Sequence, residues 1–127
     1  MATGRDAWYS PTMTHTAPFT LYRLRPGDEA GFTAMLDTFA EGFEDDEHYR
    51  RAPPGAAYRD KLLADDTFIA LVARDGDQTV GALAGYELKK FEQERSEFYI
   101  YDLAVVETHR RRGIATALIE GLGPGQE

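Results

Sequence analysis

The stretch that decides the fold is YIYDLAVVETHRRRGIATALI, residues 99–119, in which an apolar run leads into a basic turn and then a second apolar run. The first run, up to Val106, has the composition of a β-strand, and the second has the apolar spacing of a helix. Arg110, Gly113 and Ala115 between them follow the spacing Arg-x-x-Gly-x-Ala.

This basic turn has the features of an anion-binding site. The first N–H groups of a helix lack intrahelical partners, and the helix dipole adds positive potential there. Gly113 would let a ligand approach the backbone closely, and Ala115 would keep the wall of the site small. Arg110 to Arg112 supply three of the 14 basic residues. The spacing alone fits a solvated basic turn that caps a helix equally well.

Outside this stretch, apolar periodicity and turn residues predict the other elements. We expect strands over 19–25, 67–73, 79–88 and 97–106, and helices over 29–43, 56–64 and 110–122. Strands and helices in this order neither alternate strictly nor separate into two groups, which indicates a mixed α/β (α+β) fold with a mixed sheet. Asp75-Gly76 predicts a tight hairpin. We expect residues 1–18 to form a flexible leader, followed by one domain over 19–127.

The composition narrows the class of protein. The chain has 127 residues, with 14 basic and 22 acidic side chains and a formal net charge of −8. One domain of this charge is a poor general partner for nucleic acid or an anionic membrane. There is no cysteine, and the three histidines are not clustered with carboxylates, so we expect no metal site. No membrane span or signal peptide is evident, and we therefore expect a cytoplasmic protein.

Several segments together resemble a known family. Arg110 to Ala115 resembles motif A of the GCN5-related N-acetyltransferases (GNAT), whose consensus is Gln/Arg-x-x-Gly-x-Gly/Ala. FEQ at 91–93 and YIYDLAV at 99–105 are similar to the aminoglycoside 3-N-acetyltransferases of the AAC(3)-I type. The resemblance covers 67–119 closely and the first strand and helix loosely. It implies a GNAT fold, acetyl-CoA as co-substrate, and acetylation of the 3-amino group of aminoglycoside antibiotics, which confers resistance.

The resemblance also assigns residues to the acetyl-CoA site. The pyrophosphate would lie against the basic turn, and the pantetheine arm would run beside the preceding strand. Backbone N–H groups of that strand would receive the thioester carbonyl. The residues concerned are Leu103, Ala104, Val105, Arg110, Arg111, Arg112, Gly113, Ile114 and Ala115.

Asp102 is the candidate general base. An ammonium group cannot attack a carbonyl until it loses a proton, which a neighbouring carboxylate can take directly or through water. A carboxylate buried within an apolar strand is costly unless it has a role. The alternative is a structural carboxylate that accepts hydrogen bonds from backbone amides near a bulge. Alternation along the strand predicts that Tyr99 and Tyr101 face the opposite side from Asp102.

Further carboxylates suit a substrate with several ammonium groups. The candidates are Glu44, Asp45, Asp46, Glu92 and Glu97. The alternative for the acidic run at 44–47 is a solvated loop.

The resemblance ends before the family fold is complete. That fold continues after the last predicted helix with strands and a helix that close the cleft, whereas here glycines and Pro124 follow. We therefore expect a GNAT fold lacking its C-terminal strands and helix, with the strand over 97–106 covered by a second copy in a homodimer. Two alternatives stay open: a non-catalytic remnant that binds acetyl-CoA or self-associates, and an acetyltransferase for another amine.

Overall fold

A computed structural model of the protein describes residues 19–123, so the predicted leader over 1–18 lies outside the described residues. The elements, in chain order, are β1 (Thr20–Arg23), α1 (Glu29–Phe43), α2 (Asp46–Tyr49), α3 (Ala56–Ala64), β2 (Phe68–Asp75), β3 (Gln78–Lys89), β4 (Ser96–Val105), a 3-10 turn (Glu107–His109) and α4 (Ile114–Glu120).

The strands form one sheet in the order β1-β2-β3-β4, and each strand is antiparallel to its neighbour. The expected mixed α/β fold is confirmed, and the sheet within residues 19–123 is antiparallel throughout. Asp75 pairs with Gln78, which leaves a two-residue loop in which Gly76 has a φ of 64°. This is the hairpin that Asp-Gly predicts, because such loops require positive φ.

Helices cover both faces of the sheet. α1 buries Phe32, Met35 and Phe39 against one face, here called the α1 face, and it has the bounds that its apolar spacing predicts. α4 buries Ile114 and Leu118 against the other, the α4 face. β2 and β3 are therefore covered on both sides, which explains their nearly continuous apolar sequences.

α4 begins at Ile114, so the prediction that this helix starts at Arg110 is wrong. Arg111 has a φ of 65° and Gly113 a φ of 82°, and left-handed residues cannot belong to a right-handed helix. Residues 110–113 instead form an open turn between the 3-10 turn and α4.

Candidate functional site

Asp102 lies in β4 with its side chain on the α1 face. It pairs with Ala84 of β3, and both Ala84 and Ala104 contribute to the core beneath α1. The half-buried Asp102 accepts, at Oδ2, a hydrogen bond of 2.9 Å from the hydroxyl of Tyr49 in α2. Sequence reasoning missed Tyr49, because the two residues are 53 positions apart and no local pattern links them.

The end of α1 brings Tyr49 to this position. α1 lies so close to β4 that a Cβ added to Gly42 would be 2.9 Å from the Cβ of Ala104. The helix then ends at Phe43, and the next residue, Glu44, has a left-handed φ of 53° that turns the chain toward α2. The Asp45 carboxylate accepts a backbone N–H of α2 at 3.0 Å and so caps that short helix.

Aromatic neighbours hold the Tyr49 ring. Its centroid is 5.7 Å from that of Phe39, 5.9 Å from that of Phe43 and 4.6 Å from that of His48. Burial raises the pKa of the Tyr49 hydroxyl, and the hydrogen bond to Asp102 and its negative charge raise that pKa further. The phenol therefore keeps its proton, and Tyr49 is the donor in this pair.

A β-bulge interrupts β4 beside Asp102. Ala84 pairs with Asp102, but the next residue of β3, Gly85, pairs with Ile100. Tyr101 is therefore the extra residue of the bulge, and side-chain alternation along β4 is broken at this point.

The bulge reverses the facing expected for two tyrosines. The Tyr101 ring lies 6.3 Å from that of Tyr86, which packs on the α1 face, and 6.1 Å from that of Tyr99. The prediction that Tyr99 and Tyr101 face away from Asp102 is thus wrong, since it assumed an unbroken ladder. Both rings are exposed on the same side of the sheet as the carboxylate.

The acidic run before Tyr49 forms an open concave surface of about 560 Å³, to which Glu44, Asp45 and Asp46 all contribute. Asp46 is paired with Arg50 at 2.7 Å. Glu44 forms no ion pair with any residue in 19–123, and the charge of Asp45 reaches the Tyr49 hydroxyl. The structure thus brings one of these predicted carboxylates, Asp45, close enough to act on the Tyr49 hydroxyl, while Glu44 and Asp46 share the concave surface with it.

Glu92 and Glu97 belong to a separate cluster at the β3–β4 loop. Lys90 Nζ lies 2.9 Å from Glu92 and 3.5 Å from Glu97, and Arg95 lies 3.4 Å from Glu97. Lys90 also holds the pKa of Glu92 below its ordinary value. These two predicted carboxylates are already ion-paired, and within residues 19–123 neither forms a hydrogen bond or an ion pair with Asp102.

A cavity of about 400 Å³ opens between β4 and the turn before α4. Arg110 fastens the turn to the strand, because its Nε donates to the carbonyl oxygen of Val105 at 2.9 Å. All the residues predicted for the cofactor line this cavity except Arg112, which is exposed: Leu103, Ala104, Val105, Arg110, Arg111, Gly113, Ile114 and Ala115.

His109 also lines this cavity, although the sequence analysis did not single it out. Its Nε2 lies 3.0 Å from Oδ2 of Asp75, and its Nδ1 lies 2.9 Å from the Thr108 hydroxyl. These contacts tie the turn to the end of β2.

The backbone of β4 presents hydrogen-bond donors at the edge of the sheet. Val106 N donates to Val80 O at 2.9 Å across the β3–β4 pair. Because antiparallel residues alternate in the direction of their backbone groups, the N–H groups of Leu103 and Val105 face away from β3. The bond between Arg110 and the Val105 carbonyl, on that outer side, agrees with this direction.

Within residues 19–123, no group of His, Asp and Glu side chains is placed to hold a metal ion. No helix there is long and apolar enough to cross a membrane. The homodimer stays a prediction.

Comparison with protein families gives a match over most of the chain. The model of the Acetyltransferase (GNAT) family matches residues 31–122. No curated protein matches the chain in sequence.

Solved structures give more specific likenesses. HMB0005, an aminoglycoside acetyltransferase from an uncultured soil metagenomic sample, is 55% identical with a TM-score of 0.81, over 84% of this chain and 70% of that chain. The aminoglycoside acetyltransferase meta-AAC0020, from an uncultured soil metagenomic sample and in complex with sisomicin, is 30% identical with a TM-score of 0.74, over 87% and 74%. A ribosomal-protein-alanine N-acetyltransferase from Brucella melitensis biovar Abortus 2308 is 26% identical with a TM-score of 0.60, over 84% and 69%.

Proposed function

The chain belongs to the GNAT family of acetyltransferases, and from that premise we propose that it transfers the acetyl group of acetyl-CoA to an amine of an aminoglycoside. The 3-amine is the acceptor that the sequence resemblance implies. One observation carries the proposal: the Asp102 carboxylate directly precedes the β4 residues that line the cavity, and it lies on the same side of the sheet as the exposed rings of Tyr99 and Tyr101. The 55% identity to an aminoglycoside acetyltransferase supports the choice of substrate class.

The cavity beside the turn fits a pyrophosphate. In a chain of net charge −8, its lining includes Arg110, Arg111 and His109 and no carboxylate. The Nε of Arg110 is bonded to Val105, while its two terminal nitrogens form no hydrogen bond with residues 19–123 and can donate to phosphate oxygens. Acetyl-CoA, when bound, supplies an acetyl group activated as a thioester.

The edge of β4 would hold the reacting carbonyl. The N–H groups of Leu103 and Val105 face outward, and each can donate to an oxygen that gains negative charge during transfer. One donor of this kind contributes about 3 kcal/mol to transition-state stabilisation. The amine of the substrate is the nucleophile: its nitrogen bonds to the carbonyl carbon, the C–S bond breaks, and CoA leaves as a thiolate that takes up a proton. The chain supplies the base and these donors.

Asp102 would remove the proton from the substrate ammonium group. Its Oδ2 is engaged by Tyr49, and its Oδ1 forms no hydrogen bond with residues 19–123. Oδ1 is therefore the atom to which we assign the proton. A base positioned in this way typically accelerates a reaction by about 10²–10⁴-fold.

The surface around Asp102 suits a ring that carries several cations. The exposed faces of Tyr99 and Tyr101 can stack against a saccharide ring or an ammonium group. Asp45 supplies negative charge near the Tyr49 hydroxyl, and Glu44 lies with Asp45 on the concave acidic surface. We favour this group over Glu92 and Glu97 for substrate binding, because Lys90 and Arg95 already neutralise the latter two.

Turnover on a panel of amines tests the proposed function. The purified chain is given acetyl-CoA with gentamicin, sisomicin, spermidine or a peptide with an N-terminal alanine, and the release of the CoA thiol is followed. We expect turnover of both aminoglycosides, with NMR of the product showing acetylation at the 3-amine. CoA binding in calorimetry without turnover of any amine would support the non-catalytic alternative. Preference for spermidine or the peptide would move the protein to another substrate class.

A further inference from the structure

We infer that Tyr49 is a positioning residue for the proposed base: its hydroxyl holds Oδ2 of Asp102, so that Oδ1 is directed to the substrate amine. The inference rests on the proposed function. The two residues lie 53 positions apart, on the short helix α2 and on β4, and their side chains meet at 2.9 Å.

The packing makes Tyr49 a rigid donor. Its ring contacts Phe39, which is only 2% exposed, and Phe43 of the same helix. α1 is itself fixed to β4, where Gly42 leaves no room for a side chain against Ala104. The hydroxyl is therefore tied to the same rigid unit as the carboxylate that it orients.

The charges around the pair keep Tyr49 in its donating form. The titratable groups that act on its hydroxyl are Asp102 and Tyr101 on β4 and Asp45 at the start of α2. His48 packs against the ring edge to face, and the contacts from α1 are uncharged phenylalanines. Asp102, Asp45 and Tyr101 can each carry only a negative charge, which disfavours a phenolate at Tyr49.

The two oxygens of the Asp102 carboxylate have different roles in this geometry, since Oδ2 accepts the hydrogen bond from Tyr49 and Oδ1 is left to accept the proton. A carboxylate that rotates freely offers either oxygen in many directions, and only a fraction of these reach the amine. The hydrogen bond from Tyr49 to Oδ2 limits this rotation. Hydrogen bonds from neighbouring residues orient catalytic and metal-binding side chains in the same way. The effect of the Tyr49 hydroxyl should therefore fall on turnover rather than on substrate or CoA binding.

The test is Tyr49→Phe, which removes the hydroxyl and keeps the ring, with Tyr22→Phe on the far strand β1 as the matched control. For Tyr49→Phe we expect kcat about tenfold lower, the scale of one charge-assisted hydrogen bond, with KM for both substrates within about twofold. In an Asp102→Asn background the same change should alter kcat by less than about twofold, because the group that Tyr49 positions is gone. Tyr22→Phe should match the wild type.

A second measurement does not depend on the folding of Tyr49→Phe. Burial raises the pKa of both Tyr49 and Tyr86, but only Tyr49 donates a hydrogen bond to Asp102. Alkaline titration of tyrosine absorbance is therefore compared in the wild type and in Asp102→Asn, where one of these two late-ionising tyrosines should ionise at lower pH. If the wild type is active, an unchanged kcat in Tyr49→Phe would overturn this inference and leave the proposed function standing. Additive effects of the two substitutions in the double variant would do the same. So would an unaltered titration in Asp102→Asn. A wild type inactive on all amines would overturn the proposed function, and this inference with it.

Discussion

Gly81→Ala should weaken the chain and its CoA site together. The added Cβ would lie 2.8 Å from Ile114 Cγ2 and 3.3 Å from Leu118 Cδ1, whereas carbon atoms in contact prefer about 3.5–4.0 Å. α4 must therefore retreat from β3 by roughly 0.5–1 Å near Ile114. Overpacking of this kind costs about 1–3 kcal/mol, and the lower entropy of the unfolded chain returns about 0.4–1 kcal/mol. The expected net loss is about 1–2 kcal/mol, or about 3–10 °C in Tm.

The same retreat should reach the proposed cofactor site, because Ile114 lines the cavity and directly follows Gly113. If about 1.4 kcal/mol of the CoA binding free energy is used to restore the wild-type position of the turn, the Kd for CoA rises about tenfold. Thermal unfolding and calorimetry with CoA measure the two effects. Gly55→Ala is the matched control, since its φ of −74° suits alanine and nothing lies within 4 Å of the added Cβ. A Gly81→Ala protein with wild-type Tm and wild-type CoA affinity would refute this account of how α4 is seated.

Three further predictions concern the site. Ala115→Asp should keep the fold, because an acidic side chain is favourable in the first turn of a helix. It should bind CoA at least about tenfold more weakly than the near-isosteric control Ala115→Asn, because its negative charge repels the pyrophosphate. Equal Kd values for the two variants in calorimetry would show that the turn does not bind the pyrophosphate. Asp102→Asn should lower kcat by about 10²-fold or more, with a smaller loss at high pH where more of the amine is already neutral, and an unchanged pH–rate profile would move the base elsewhere. The pKa of Tyr49 is raised by burial and by Asp102, so its share of stability is complete below about pH 10 and is lost as pH rises toward the folded-state pKa. Urea unfolding between pH 8 and 11 should therefore show a shallower loss for Tyr49→Phe than for the wild type, and parallel curves would contradict it.

The elements that the sequence predicts well are those whose cause is local. The apolar spacing of Phe32, Met35 and Phe39 is a property of one helix, and α1 has the bounds expected from it. The Asp75-Gly76 pair is likewise sufficient to predict the hairpin, because the loop requires a positive φ and the glycine adopts it. The cavity lining was also predictable, because a strand, a turn and a helix that are consecutive in sequence must remain neighbours.

The errors arise where long-range pairing or an unusual backbone decides the outcome. The prediction of a helix from Arg110 failed because Arg111 has a left-handed backbone conformation. An arginine in a sequence does not indicate positive φ, which is uncommon for residues other than glycine. Tyr49 was missed because its partner is set by the packing of α1 on β4. The bulge at Tyr101 did leave a trace, since Gly85 is an isolated glycine within a strand, a common mark of such irregularities.

That bulge is what allows one short segment to serve both halves of the proposed reaction. Residues rise about 3.3 Å each along a strand, so the Asp102 side chain and the outward N–H groups of Leu103 and Val105 lie within roughly 3–10 Å of one another along β4. An amine and an acetyl carbonyl can meet across that span. Without the extra residue, alternation would turn Tyr99 to the α4 face, and the rings would lie on the opposite side of the sheet from the carboxylate. A Cβ on Gly85 would stand 2.4 Å from the Tyr99 carbonyl oxygen, so only glycine opposite the bulge permits this arrangement. The position of the bulge, more than the identity of the tyrosines, thus determines which side chains share a surface with Asp102.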